Sequence, residues 1–139
     1  MHLLSNIHAT DIAIHAAGDT MPELFLNALR GMNEILKEGL CGAQTHYDCS
    51  SKIEVYARDR RRLLIDFLSE VLEKSYAYRA VFCYVYFSEF SENHLEARLY
   101  GVWFNQFDIR INSVACEDAS VEQNARGTWD STLDFELEE

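Results

Sequence analysis

Three carboxylates alternate with apolar residues near the end of the chain. In the segment 133–138 the acidic residues are Asp134, Glu136 and Glu138, and a leucine or phenylalanine precedes each of them. This period of two predicts a strand whose apolar side faces the core and whose carboxylates face outward. Carboxylates on adjacent strands can share a hard cation such as Ca²⁺ or Mg²⁺ through oxygen ligands. The segment therefore carries candidate metal ligands, although an acidic run of this kind is more often a solvated face.

Asp11 is the residue that could complete such a site from another strand. It stands in the otherwise apolar run Ala9–Ala17, where Ile12 and Ile14 alternate with polar or small residues. An ionised Asp at a buried level requires a cation or a hydrogen-bond donor. Alternatively, Asp11 caps a bulge or pairs with an arginine. Asp11 and Glu136 could also divide acid and base roles, but nothing in the sequence marks a nucleophile or a substrate pocket.

A cluster of basic residues surrounds the predicted start of the second helix. Arg60, Arg61 and Arg62 follow Asp59 there, although the positive end of a helix dipole disfavours cations. Because the chain has an excess of carboxylates, intramolecular ion pairs are the safer interpretation. The cluster is also the best candidate in the sequence for a contact with a partner protein or with a nucleotide or RNA phosphate.

The charge balance and the missing motifs exclude several function classes. With 12 Lys and Arg against 23 Asp and Glu, the 139-residue chain has a net charge of −11, which repels phosphate backbones and disfavours non-specific nucleic-acid binding. No GxGxxG, GxxxxGK[ST], HExxH or GxSxG motif occurs, so dinucleotide, P-loop, zinc-protease and hydrolase functions lack support. Cys41, Cys49, Cys83 and Cys116 form no CxxC pair, which favours free thiols in a reducing cytoplasm.

The same reasoning bears on location. No apolar run reaches the roughly 18–20 residues that span a bilayer, and the first residues lack a basic stretch followed by a long apolar one, the pattern of a signal peptide. We therefore expect a soluble cytoplasmic protein with no membrane association.

The elements that position the candidate residues fit one domain over residues 1–139. Two helices come early and a strand meander comes late, which predicts an α+β domain with two helices packed on a mostly antiparallel or mixed sheet. The apolar segment 81–87 suits either a central strand covered on both faces or an edge strand packed by helices. The expected elements are a strand over 9–17, a helix from the N-cap Thr20 to the C-cap Gly39, a strand over 52–57, a helix capped by Asp59, and strands over 81–87, 95–100, 107–116 and 128–137.

Four segments of the chain match a known set of patterns. His8–Ile14 (HATDIAI) is similar to H-T-A-D-[IL]-x-[IL], and Leu24–Met32 (LFLNALRGM) resembles the helix that follows that motif. Asp59–Leu72 (DRRRLLIDFLSEVL) is similar to D-x-x-x-L-L-[VI]-D-[FW]-L-x-E-[LV]-L, and Leu95–Gly101 (LEARLYG) resembles L-x-A-x-x-x-G. These patterns are those of the archease family, and the resemblance covers the first half of the chain well. It implies a small acidic protein of α+β fold.

The resemblance also implies a function. Archeases are accessory proteins, not enzymes: they promote guanylylation of an RtcB-type RNA ligase by GTP and allow its repeated turnover in tRNA splicing or RNA repair. They carry a divalent metal site. The ligands that the resemblance implies for Ca²⁺, Mn²⁺ or Mg²⁺ are Asp11, Glu136 and Leu137, with Asp134 as an additional acidic ligand.

The segment 111–117 departs from the family pattern I-K-A-[VI]-T-[YW]-H. Asn112 stands where the family has lysine, and Glu117 stands where it has histidine. These departures imply an alternative function: a protein-binding or chaperone-like module that has kept the archease scaffold and lost the metal and ligase-activating chemistry. Little stabilisation by Ca²⁺ or Mn²⁺ is expected of such a module.

Overall fold

The helices and strands follow the predicted order, with one short strand added. The computed structural model describes residues 11–43, 46–107, 109–115 and 119–138. The elements are β1 (Asp11–Gly18), α1 (Met21–Leu36), a 3-10 turn (Cys41–Ala43), β2 (Cys49–Tyr56), α2 (Arg60–Tyr78), β3 (Ala80–Phe90), β4 (His94–Trp103), β5 (Ile111–Val114), β6 (Glu122–Gln123) and β7 (Trp129–Leu137). The two-residue β6 is the element that the sequence did not predict.

The strands form two antiparallel sheets. One sheet has the order β1-β7-β5 with β6 beside β7, and the other has the order β2-β4-β3. All of these pairings are antiparallel. The α+β class is therefore confirmed, with two helices on antiparallel sheets. The edge position predicted as one alternative for the segment 81–87 is also confirmed, because β3 is the end strand of its sheet.

Both helices begin at the predicted caps. Oγ1 of Thr20 accepts a hydrogen bond from the backbone N–H of Glu23 at 3.2 Å, and the carboxylate of Asp59 accepts one from the N–H of Arg62 at 2.8 Å. Each cap satisfies a backbone donor that has no partner within the helix. Neither helix, within the residues described, is long and apolar enough to cross a membrane.

One core joins the two helices to both sheets. Phe25 of α1 is fully buried, and its ring centroid lies 5.6 Å from that of Phe67 on α2 and 4.9 Å from that of Phe90 on β3. From the other sheet, β7 adds Leu133 and Phe135, which are both fully buried as the alternating pattern predicted. Because these side chains pack in one cluster, the helices hold the two sheets in a defined arrangement.

Several predicted boundaries differ from the structure, and two of the differences change the role of a named residue. The strand expected over 107–116 is only Ile111–Val114. Phe107 lies in the loop before it, and its ring contacts Tyr76 with a centroid distance of 5.6 Å, so the side chain is packed without strand pairing. Helix α1 ends at Leu36 because the backbone becomes extended at the next residue. Gly39 is therefore not the C-cap.

The expectation of four free thiols is also wrong. Cys41 in the 3-10 turn and Cys83 in β3 form a disulfide, with 5.4 Å between their Cα atoms and a sequence separation of 42. No local motif signals this pair, because the fold brings the turn after α1 against the outer face of β3. Val81 and Cys83 form a second small buried cluster there. Cys49 is free, and Cys116 lies outside the described residues.

Candidate functional site

The carboxylates predicted to bind a metal lie at one end of the β1–β7 pair. Asp11 on β1 is directly opposite Glu136 on β7, and Ala13 is opposite Asp134. Alternate residues of a strand share a face, so the three carboxylates lie on the same outer face of this sheet. Asp11 and Glu136 are exposed, and Asp134 is half-buried. Strand pairing therefore brings the first and last candidate ligands together.

The structure gives Asp11 a different setting from the buried one that we expected. Asp11 is exposed, so burial alone does not require a cation at this position. The register does supply a reason for one, because like charges directly across an antiparallel pair are destabilising. In the described part of the chain, no basic side chain forms an ion pair with Asp11, Asp134 or Glu136. Among the described residues, their negative charge is therefore not balanced by an ion pair.

The donor atoms at this end of the sheet suit a hard cation. They are the carboxylates of Asp11 and Glu136 and the backbone carbonyl of Leu137, whose side chain packs against the core. Oxygen donors are those that Ca²⁺, Mg²⁺ and Mn²⁺ prefer, and these ions accept water as further ligands. Among the described residues, no three His, Cys, Asp or Glu side chains are grouped so as to hold a metal ion. A cation held by these described residues would therefore keep water among its ligands.

A third strand flanks the carboxylate pair. Ser113 on β5 is the register partner of Glu136 on the side away from Asp11, and Asn112 beside it is exposed. The sequence held no signal for Ser113, because its place next to Glu136 depends on a register shift between Ile111 and Ser113. Glu117, the other departure from the family pattern, lies outside the described residues.

Tyr76 of α2 holds β5 in place. Its hydroxyl accepts a hydrogen bond from the N–H of Ile111 at 2.7 Å and donates one to the carbonyl of the same residue at 2.9 Å. Burial raises the pKa of Tyr76 above its ordinary value, although the hydrogen bond to Ile111 and the charge of Arg110 oppose the rise. The hydroxyl therefore stays protonated at neutral pH and keeps both bonds, which position the strand beside Glu136.

The predicted arginine cluster is engaged within the chain. Each of the three side chains contacts an acidic residue or a carbonyl group. The contacts are those of Arg60 with Glu92 at 2.8 Å, of Arg61 with the carbonyl oxygen of Ala119 at 2.8 Å, and of Arg62 with Asp66 at 3.1 Å. The interpretation as intramolecular pairs agrees with these contacts, and a phosphate or a partner protein would have to compete with them.

The arginines and the carboxylate pair lie at opposite ends of β7. The guanidinium of Arg60 lies 5.2 Å from the ring centroid of Trp129, which is the first residue of β7, whereas Glu136 is the last but one. At about 3.3 Å per residue, these ends are roughly 23 Å apart. That distance exceeds the reach of one metal-bound phosphate, so the two predicted sites are separate surfaces.

A second cluster of titratable groups was missed from the sequence. The Oε2 atom of Glu54 on β2 accepts a hydrogen bond from the hydroxyl of Tyr56 at 3.0 Å and lies 2.9 Å from Nε2 of His94 on β4. The hydrogen bond with His94, and then that with Tyr56, lowers the pKa of Glu54, and Glu54 in turn raises the pKa of Tyr56. The group is exposed, and only the β2–β4 register, with Tyr56 opposite His94, brings it together.

Comparison with known proteins agrees with the fold and with the resemblance of the helix motifs. Residues 6–134 match the model of the archease protein family (MTH1598/TM1083). The structure is similar to that of an archease from Thermotoga maritima described as a possible chaperone, with a TM-score of 0.64, 12% identity, and coverage of 93% of this chain and 92% of that one. It is also similar to the solution structure of protein 1598 of Methanobacterium thermoautotrophicum, with a TM-score of 0.66, 17% identity, and coverage of 92% of this chain and 93% of that one. No curated protein matches the chain.

At these identities, the two structures establish a shared fold. The family match adds a second and independent result, because it covers nearly the whole chain, including β1 and most of β7. The chain therefore belongs to the archease family.

Proposed function

We propose that the protein is an accessory factor for an RtcB-type RNA ligase. It promotes guanylylation of the ligase by GTP, allows repeated turnover in tRNA splicing or RNA repair, and catalyses no reaction of its own. Its direct partner is the ligase protein, since a net charge of −11 opposes a grip on RNA. The expected location is the cytoplasm, where the protein would encounter such a ligase.

The observation that carries this proposal is the register of β1 and β7. Family membership supplies the context, and the opposition of Asp11 and Glu136 supports a divalent cation at the family's metal position. The ion would be Ca²⁺, Mn²⁺ or Mg²⁺, held by these two carboxylates and the Leu137 carbonyl, with Asp134 nearby. When bound, it would supply positive charge at an otherwise negative surface. The two carboxylates orient it, and Ser113 and the Tyr76 anchor keep the third strand beside them.

The test is a ligase guanylylation assay. We expect purified protein to raise the rate or extent of GTP-dependent labelling of the host's RtcB-type ligase in the presence of Mn²⁺. The variants Asp11→Asn and Glu136→Gln should lose most of this stimulation. Glu122→Gln is the matched control, because Glu122 is an exposed carboxylate on β6 of the same sheet. Absence of stimulation by the unaltered protein over a wide concentration range would refute the proposal.

A second candidate is a protein-binding or chaperone-like module without the metal chemistry. It is favoured by the absence of a three-residue metal cluster among the described residues and by Asn112, an exposed neutral residue at the family's lysine position. Thermal unfolding separates the two candidates. A rise in Tm that grows with Ca²⁺ or Mn²⁺ and disappears in Asp11→Ala supports the metal-dependent factor, whereas an unchanged Tm supports the module.

A further inference from the structure

The outer edge of β3 is lined by a groove of about 330 Å³. On one side, β3 pairs with β4, and in the described part of the chain no strand pairs with its other side. The groove is lined by the consecutive residues Tyr84–Phe87 and by Phe90 of β3, and by Pro22, Glu23 and Leu26 of α1. Consecutive residues of a strand point to opposite faces. A groove lined by four in a row therefore runs along the edge of the strand.

Helix α1 closes only one end of this edge. Near the start of β3, the side-chain amide of Asn33 donates a buried hydrogen bond of 2.8 Å to the carbonyl of Phe82. Further along the strand, the first turns of α1 supply the wall of the groove. Tyr84 and Tyr86 are 37% and 59% exposed. Asn33 therefore covers the edge at Phe82, whereas from Tyr84 onward no described strand pairs with it and the side chains of Tyr84 and Tyr86 are exposed.

The chemistry of the groove selects an extended peptide. A strand edge presents backbone N–H and C=O groups at the spacing of another strand, and added strands use them while side-chain pockets supply specificity. The half-buried side chains of Leu26, Phe87 and Phe90 offer apolar contacts to the side chains of such a peptide. Glu23 is the charged residue that lines the groove, and it is exposed.

Charge decides between the available occupants. A second copy of the chain would bring two net charges of −11 together, which opposes association. A segment with lysine or arginine between its apolar residues is positively charged, so it is attracted to Glu23 and to the net negative charge of the chain. We propose that this groove binds an extended segment of a partner protein, in which apolar residues alternate with lysine or arginine, as an added strand on β3.

This site is independent of the ligase proposal. It belongs to the β2-β4-β3 sheet, whereas Asp11 and Glu136 belong to the other sheet. Loss of guanylylation activity would leave the groove unaffected, and loss of peptide binding would leave the carboxylate pair unaffected. The two proposals can therefore fail separately.

The test is a titration of the ¹⁵N-labelled full chain, followed by backbone amide chemical shifts. The probe is a capped octapeptide of alternating valine and lysine. Two further probes have the same sequence and charge but carry N-methyl groups on alternate amides. In one probe the methyl groups block one hydrogen-bonding edge of the peptide strand, and in the other probe they block the opposite edge. We expect shifts at Tyr84–Phe87 and near Leu26, at least tenfold weaker binding for one N-methyl probe, and little change for the other. A valine and glutamate peptide should also bind at least tenfold more weakly.

Two variants separate charge from packing. Glu23→Gln keeps an acceptor for the N–H of Asp19, which Glu23 bonds at 2.8 Å, and should weaken binding about threefold and reduce its salt dependence. Leu26→Ala should weaken it several-fold at unchanged salt dependence. Glu122→Gln, an exposed carboxylate on the other sheet, is the control with the same charge change and should bind as the unaltered protein does.

Three results would overturn the proposal. The first is that the peptide shifts amide signals outside the groove, and the second is that both N-methyl probes bind as tightly as the parent peptide. The third is that the groove amide signals broaden with protein concentration in the absence of peptide, which would assign the edge to a second copy. Absence of any shift at millimolar peptide overturns it as well. Glu23→Gln leaves the core side chains untouched. It therefore still tests the proposal if Leu26→Ala fails to fold.

Discussion

Opening the disulfide between Cys41 and Cys83 should lower the stability of the whole domain. The bond closes a loop of 42 residues, and the chain-entropy model then gives a loss of ~4 kcal/mol in the free energy of unfolding when it is removed. For a chain of 139 residues, with an unfolding entropy of about 2.1 cal/mol/K per residue, this corresponds to a fall in Tm of about 10–15 °C.

The measurement is thermal unfolding with and without dithiothreitol, for the unaltered protein and for Cys41→Ser with Cys83→Ser. The double variant should unfold near the temperature of the reduced protein and should not respond to dithiothreitol. Cys49→Ser is the matched control, because Cys49 is free, and it should keep the full response.

Thiol alkylation under denaturing conditions reports the bond directly. Cys41 and Cys83 should be labelled only after reduction, whereas Cys49 should be labelled without it. Labelling of Cys41 or Cys83 in protein that was never reduced, together with equal Tm values in both buffers, would refute the reasoning. Disulfides persist in oxidising compartments and are opened by cytosolic thiols, so the same assay on freshly lysed cells shows which form the cell holds.

Three further outcomes are expected. Phe25→Ala should cost about 3–5 kcal/mol in urea unfolding, because the ring is fully buried among other phenylalanines and leaves a cavity. Tyr76→Phe should cost about 1–3 kcal/mol, since it leaves the N–H of Ile111 without its acceptor, and hydrogen exchange at that amide should become faster. The hydrogen bond with His94 lowers the pKa of Glu54. The contribution of Glu54 to the free energy of unfolding is therefore present above the unfolded-state pKa and is lost as the pH falls through the folded-state pKa. Glu54→Gln should make the free energy of unfolding depend less on pH in that acidic range.

Local signals in the sequence were sufficient for the order of the two helices and the longer strands. Thr20 and Asp59 cap the helices because a short acceptor side chain can reach backbone N–H groups only a few residues away. The alternation around Leu133 and Phe135 predicted the buried face of β7 because successive residues of a strand point to opposite sides. Phe107 was misplaced since an apolar residue can bury its ring against Tyr76 from a loop as well as from a strand.

The residues of the candidate site were likewise predicted from the sequence, whereas their arrangement was not. Composition, alternation and the helix motifs identified Asp11 and Glu136 as the residues of interest and indicated the family. The β1–β7 register placed Asp11 opposite Glu136, and both residues are exposed at the surface and not buried in the core.

The sequence by itself thus determined the elements, their buried faces and the residue types available for chemistry, because each depends on neighbours along the chain. The tertiary structure alone decided the partners of the strands, the bond between Cys41 and Cys83, and the edge at Tyr84–Phe87 with which no described strand pairs. These features join residues that are far apart in sequence. Their physical cause is the packing of both sheets and both helices around one core, which no local pattern records.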